Sequence, residues 1–335
     1  MPDFPTQPSA HAAPEERADY FELAALRDVF LGASEQGFIE NAQRDGEDEA
    51  EDAEAFGGVE NDRTVEIAAD EAADELAARN SDFGPADDFY PYVLDQDALS
   101  LKPDWKRHPK YYLYWFCLLA SRLNMRDERV HGGLDGTQLF EEICLHVAVR
   151  YFGGPDESRV GSMLFGTARH TLEWDAEAGC ERTAFADNVE ALCLALREGS
   201  GFKPKREGSR VKPKDAKVDV VVWRKFFDRY PGKLIAFGQC KTGHNWHQGL
   251  TQLQPTSFEK KFVRDSFAVT PIKLFFTASR VSSGHYDHSA DGGVFFDRCR
   301  VIQFADTIPE ELLQRCQRWV KAAGIAKGLR AFAAL

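Results

Sequence analysis

The stretch VDVVVWRKFFDRYPGKLIAFGQCKTG, Val218 to Gly243, holds two apolar runs joined by a turn-rich segment. The first run opens on Asp219, and the second closes on Gln239, Cys240 and Lys241. Apolar runs without alternation suit strands covered on both faces, and Pro231-Gly232 marks the turn between them. A lone charge at the rim of a buried strand is costly to desolvate, so an Asp and a Lys held there need a chemical reason. Residues two apart on a strand share a face: Gln239 and Lys241 point one way and Cys240 the other. If the two strands pair antiparallel, the start of the first lies beside the end of the second, and Asp219 comes alongside Gln239 and Lys241.

A carboxylate, an amide oxygen, an ammonium group and the backbone carbonyl of Cys240 then converge at one sheet edge. Hard divalent cations such as Mg²⁺ or Mn²⁺ take oxygen ligands, polarise a phosphoryl oxygen and help make hydroxide from bound water. A lysine beside them can orient or deprotonate the attacking water, or stabilise the charge that develops. The inventory suits metal-dependent phosphodiester hydrolysis. Each residue also has a plainer role open to it. Asp219 can cap a turn, Lys241 can snorkel from a strand end, and Gln239 can make an edge hydrogen bond. Asp215, four residues earlier, is the rival to Asp219.

Around this pair the chain alternates strand-like and helix-like stretches. FADNVEALCLALREGSGF (185–202) places Phe185, Val189, Leu192 and Leu196 on one helical face, with an Asp187/Asn188 cap and glycines at its end. Strand-like runs cover 217–224, 233–241, 271–279 and 300–306, and helical patterns cover NWHQGLTQLQPTSFEKKFV, interrupted near Pro255, and 309–329. Upstream, HPKYYLYWFCLLASRLN (108–124) is apolar nearly all round, as in a buried helix. DGTQLFEEICLHVAVRYFGG (135–154) has an Asp/Thr cap, Leu139, Ile143, His146 and Val147 on one face, and a Gly153-Gly154 stop.

The pattern Asp, apolar strand, turn, apolar strand, Gln-x-Lys resembles the PD-(D/E)xK nuclease superfamily, and DAKVDVVVW…IAFGQCK is most similar to its Mrr-like restriction-endonuclease branch. The resemblance spans about residues 182–306 and rests on a handful of positions. It implies an α/β, restriction-endonuclease-like core, a central mixed sheet flanked by helices. It implies Asp219 as the principal metal ligand, Lys241 as the catalytic lysine and Gln239 in the second-ligand position. In that branch an upstream helix carries a Glu about eleven residues before a Gly-aromatic pair. Glu190 precedes Gly201-Phe202 at that distance, which implies Glu190 as the helix acid and a further metal-site residue. Glu141 and Glu142 offer a comparable spacing before Gly153. Gln239 departs from the commoner pattern, where an acid is usual, and removes one negative charge from the metal site.

The loop GFKPKREGSRVKPKDAK (201–217) carries Lys203, Lys205, Arg206, Arg210, Lys212, Lys214 and Lys217, which suit the phosphate contacts that dominate nucleic-acid affinity. His244 and Asn245 follow Lys241 closely enough to meet a phosphate, Trp246 to pack or stack, and Gln248 and Gln252 to extend that polar face. TASRVSSGHYDHSADGG (277–293) reads as a mobile loop, with Arg280 and His285 toward the groove. Cys240-x₃-His244-x₂-His247 imitates a zinc site, but the pattern supplies no well-spaced fourth ligand.

Charge divides the chain. Residues 1–90 hold 25 Asp/Glu against 5 Lys/Arg, so residues 91–335 hold the other 29 of 54 acids and 36 of 41 bases. The overall charge of −13 therefore describes the N-terminal segment, and the remainder is mildly basic. Residues 1–85 read as an acidic low-complexity tail, disordered by composition, with one short amphipathic helix over 18–32 through Leu23, Leu26 and Phe30. Residues 86–180 read as a helical subdomain and 181–335 as the nuclease-like domain. Seven scattered cysteines without a CxxC pair, and no apolar run of membrane-spanning length, point to a cytoplasmic protein with reduced thiols and no membrane. DNA is the expected partner. The resemblance adds a separate recognition or ATPase subunit docked through the acidic tail or helical subdomain, in prokaryotic defence against foreign DNA. A homodimer fits a site that cuts one strand at a time. The alternative is a catalytically silent nucleic-acid-binding or adaptor subunit on the same core.

Overall fold

The computed structural model describes residues 4–6, 8–27, 33–34, 58–83, 89–95, 98–154, 156–165, 172–175, 180–204 and 217–333. In chain order these form α1 (Pro14–Arg27), β1 (Ala33–Ser34), α2 (Gly58–Asp82), β2 (Tyr92–Asp95), β3 (Ala98–Leu101), α3 (Pro109–Arg122), β4 (Val130–His131), β5 (Leu134–Asp135) and α4 (Gly136–Gly153). There follow β6 (Val160–Leu164), β7 (Leu172–Asp175), β8 (Cys180–Thr183), α5 (Ala184–Leu196), β9 (Val220–Arg224), β10 (Ile235–Lys241), α6 (Pro255–Phe262), β11 (Ile272–Thr277), α7 (His285–Gly292), β12 (Val294–Phe296), α8 (Arg298–Ile302) and α9 (Glu310–Ala326). The central sheet runs β12-β11-β10-β9-β6. It is mixed: β6, β9 and β10 are antiparallel neighbours, and β10, β11 and β12 are parallel.

Both faces of this sheet are covered, as the unbroken apolar runs require. On one face Val220, Val222, Ala236, Leu274 and Phe276 join a core with Ile143 and Val147 of α4, Trp115 of α3 and Trp319 of α9. On the other, Val221, Trp223, Ile235 and Phe237 pack against Val189, Leu192 and Leu196 of α5 and Phe258 and Phe262 of α6. The mixed sheet flanked by helices agrees with the expected α/β architecture. No helix among the described residues is long and apolar enough to cross a membrane.

The division into tail, helical subdomain and core is redrawn by the packing. Residues 14–27 are a helix whose Phe21, Leu23 and Leu26 lie in the main core, and 58–82 form another helix against it. Asp19 and Glu75 on these helices are paired with arginines, most of them far along the chain, which composition alone does not register. Asp19 accepts from Arg79 (2.8 Å) and from both terminal nitrogens of Arg298 (2.8 and 3.0 Å). Glu75 accepts from Arg79 (2.8 Å) and Arg280 (3.0 Å). Residues 35–57, the most acidic stretch, and Phe30 lie outside the described residues. The sheet also takes its edge strand, β6, from upstream of residue 181. Two small antiparallel groups, β1-β3-β2 and β4-β5, interrupt the helical block.

At the C-terminal side, 300–306 is not a strand. Asp297 accepts from Arg300 N at 3.0 Å and caps α8, so the last strand is the shorter run Val294–Phe296 before it. The loop expected over 277–293 contains α7.

Candidate active site

The β9–β10 register pairs Trp223 with Ile235 and Val220 with Gly238. One step further Asp219 N donates to Gly238 O at 2.9 Å, and the Asp219 carbonyl accepts from Phe165 N at 2.7 Å. The ladder then ends, because the next partner of β10 is the Asp219 side chain itself: its Oδ2 accepts from Cys240 N at 2.7 Å. In an antiparallel ladder a residue's N–H and C=O point the same way, so the Cys240 carbonyl shares this edge with the Asp219 carboxylate. Lys241 is turned the other way in the backbone ladder, its carbonyl accepting from Ala278 N at 3.2 Å.

Gln239 is 1% exposed, and its burial demands that both ends of the amide be satisfied. The orientation that does so has the nitrogen donating to Gly249 O (3.0 Å) and the oxygen accepting from Lys241 Nζ (3.2 Å). Gly249 is where the turn after β10 comes closest. A Cβ there would stand 2.6 Å from Lys241 Cε, so a side chain at 249 would displace the lysine from this path. Lys241 is thereby held, not free to sweep solvent.

The third element is α4. Asp135 caps it, accepting from Thr137 N (2.9 Å) and Gln138 N (3.4 Å), and the helix crosses the sheet face with Cys144 against Cys240. One turn earlier Glu141 comes within electrostatic reach of Asp219. Its Oε2 is buried with no hydrogen-bond partner. Burial first, and then the Asp219, Asp135 and Glu142 charges, push the Glu141 carboxyl up to about 8. Burial likewise pushes Asp219 up to about 6, against the Cys240 N–H and the Lys241 and Lys217 charges, which pull it down. Burial lowers the Lys241 ammonium, while Asp219 opposes the shift.

Glu190, which the resemblance implies as the helix acid, lies away from Asp219 and Lys241. Glu190 lies on α5, the helix over the opposite sheet face, against Gly201 and 3.9 Å from Arg264 Nη2. Among the described residues no interaction joins it to Asp219 or Lys241. Glu142 forms a two-point pair with Arg315 (2.5 and 2.8 Å), whereas Glu141 is the helix carboxyl on which the Asp219 charge acts.

The surrounding residues divide similarly. Lys217 is exposed and acts on both Asp219 and Lys241. Lys203 donates to Lys260 O at 3.3 Å near the end of α6, away from the pair. Lys205, Arg206, Arg210, Lys212, Lys214 and Asp215 lie outside the described residues. His244 lines a cleft of about 460 Å³ with Arg122 and Trp246. Trp246 packs edge-on to His288 and tilted over Phe295, a packing role. Asn245 precedes the short turn 246–249, its carbonyl accepting from Gln248 N (3.3 Å), and Gln252 donates to Gln248 O (2.9 Å). Arg280 borders the cleft, but its guanidinium is engaged by Glu75 and Asp82, and His285 packs on Phe295.

Among the described residues no group of three or more His, Cys, Asp and Glu is arranged to hold a metal. The zinc imitation thus finds no assembled site there. What the edge does offer is two carboxylates, one with an orphaned buried oxygen, and a backbone carbonyl: an all-oxygen donor set. Burial is the first cause of the rise in both carboxyls, and oxygen donors of this kind are the ligands a hard divalent cation takes. No family model, curated protein or solved structure matches the chain.

Proposed function

We propose that the chain is a Mg²⁺- or Mn²⁺-dependent nuclease that hydrolyses DNA phosphodiester bonds, with foreign DNA in a prokaryotic cell as its target. The observation that carries this reading is that the Asp219 charge acts on both Glu141 of α4 and Lys241 of β10, and that Gln239 contacts Lys241. The motif's resemblance to the Mrr-like nucleases supports it.

Asp219, Glu141 and the Cys240 carbonyl would hold the cation, which when bound acidifies water and neutralises phosphate charge. Lys241 presents its ammonium to the attacking water or the charged phosphate, and burial lowers its hold on the proton. Gln239 fixes the lysine's approach through the 3.2 Å contact. Lys217 adds a cation at the same edge to draw in the backbone phosphates.

Incubating plasmid DNA with purified protein and Mg²⁺ or Mn²⁺ tests the proposal. Wild type is expected to cleave, EDTA to stop it, and Asp219→Ala or Lys241→Ala to slow it by about 10²-fold or more. Cleavage equal in all three proteins would overturn the assignment. DNA binding without cleavage under either metal would favour the silent adaptor.

A further inference from the structure

We propose that the tip of the β9–β10 hairpin is a second nucleic-acid contact, a stacking platform for single-stranded chains. Residues 225–234 join the two strands, a connection longer than the two to five residues usual in hairpins. The added length carries rings into solvent: Phe227 is 92% exposed, Tyr230 74% and Phe226 55%. Leu194 of the neighbouring α5 is 80% exposed. Single exposed apolar residues need no reason, whereas a group of them does.

The tip is held in shape. Glu198 accepts from Gly232 N (2.9 Å), Lys233 N (3.4 Å) and Ala268 N (3.0 Å). Lys233 Nζ donates to Tyr230 O (2.9 Å), and Lys225 N to Arg159 O (2.7 Å). A pre-ordered loop loses less entropy on binding. The Arg159 guanidinium lies 4.7 Å from the Phe227 ring centroid. Arg197, Lys225 and Arg229 line a cleft of about 420 Å³ with Phe226 and Phe227. Asp228 is the acid in this loop, and its carboxylate accepts from Tyr230 N (3.0 Å).

Exposed ring faces set among cations hold single strands without sequence preference, the cations meeting phosphates and the rings stacking with bases. A second copy docking face to face would set these cations against their own like, so charge complementarity favours a polyanion. The platform is separate from the catalytic edge. From Ile235 beside Trp223 to Lys241 the strand runs ~20 Å at about 3.3 Å per residue, so a chain engaged at both places spans several nucleotides.

The inference rests on the proposed nucleic-acid substrate, and its test reads binding without cleavage. Fluorescence anisotropy of a labelled oligo(dT) of about 20 nucleotides is measured with the full chain in EDTA. The Phe227→Ala/Tyr230→Ala double variant is expected to bind at least about tenfold more weakly with its melting temperature unchanged, and Phe227→Trp to keep parental affinity. Lys225→Glu/Arg229→Glu is expected to weaken binding and flatten its salt dependence. Equal affinity in the ring variant and the parent would overturn the platform. So would a change of oligomeric state on the same substitutions, which would make the patch a contact between copies. If no metal supports cleavage, the proposed function fails while the oligonucleotide result still decides the platform.

Discussion

Glu141 and Asp219 are both raised chiefly by burial, with the Asp219 charge adding to the rise at Glu141, and pH reports on that. A carboxyl whose folded affinity for protons exceeds its unfolded one stabilises the fold at low pH and loses that contribution as pH rises through its folded pKa. With Glu141 raised to about 8 and Asp219 to about 6, metal-free protein should lose stability steadily as pH climbs from about 4 to about 8. Thermal melts in EDTA are expected to show this decline. Glu141→Gln should flatten it, and Mg²⁺ should restore the melting temperature at pH 8 more than at pH 5, since protons compete for the ligands. A flat parental profile, indifferent to Mg²⁺, would contradict the pairing. The lysine has its own test. Gly249→Ala places a Cβ where Lys241 Cε runs, so cleavage should fall by about tenfold or more while the melting temperature changes by only a few degrees.

The strands were legible because β-periodicity is rigid: once 218–243 is read as two strands, Asp219, Gln239 and Lys241 can meet at one edge only. Which helix carboxylate interacts with Asp219 was not. Glu190 and Glu141 both carry a plausible spacing to glycine, but which helix crosses which sheet face is a tertiary fact. The missed clue was the short run Val160–Leu164, which makes α4 the helix that feeds directly into the sheet. The 300–306 segment failed for a local reason. Its apolar pattern is brief, and the Asp297 cap decides for helix. The cap of α4 was read correctly, and it now bears on the site because it anchors the helix that delivers Glu141. Asp135→Ala should cost about 1 kcal/mol, seen as a shifted denaturant midpoint with an unchanged slope. A change below a few tenths would mean the cap is dispensable.

The molecule as a whole is closed by charges that composition assigned to solvent. Burial alone would raise the Asp19 carboxyl, but Arg298 and Arg79 override it and hold it down at about 2. A depressed carboxyl contributes stability above its unfolded pKa and loses it as pH falls through the folded one. The fold should therefore weaken between about pH 4 and pH 2, and Asp19→Asn should show a smaller loss over that window. Breaking a buried pair from one side typically costs about 3–5 kcal/mol, so Asp19→Ala should lower the melting temperature sharply at pH 7. For the same reason, removing residues 1–27 should yield an unstable chain and not a freed enzyme. The N-terminal helices belong to the fold. Which helix supplies the second carboxylate of the proposed site is measured directly by a paired plasmid-cleavage assay with Mg²⁺ or Mn²⁺. Cleavage abolished in Glu141→Gln and retained in Glu190→Gln is the expected result; retention in the first with loss in the second would contradict it.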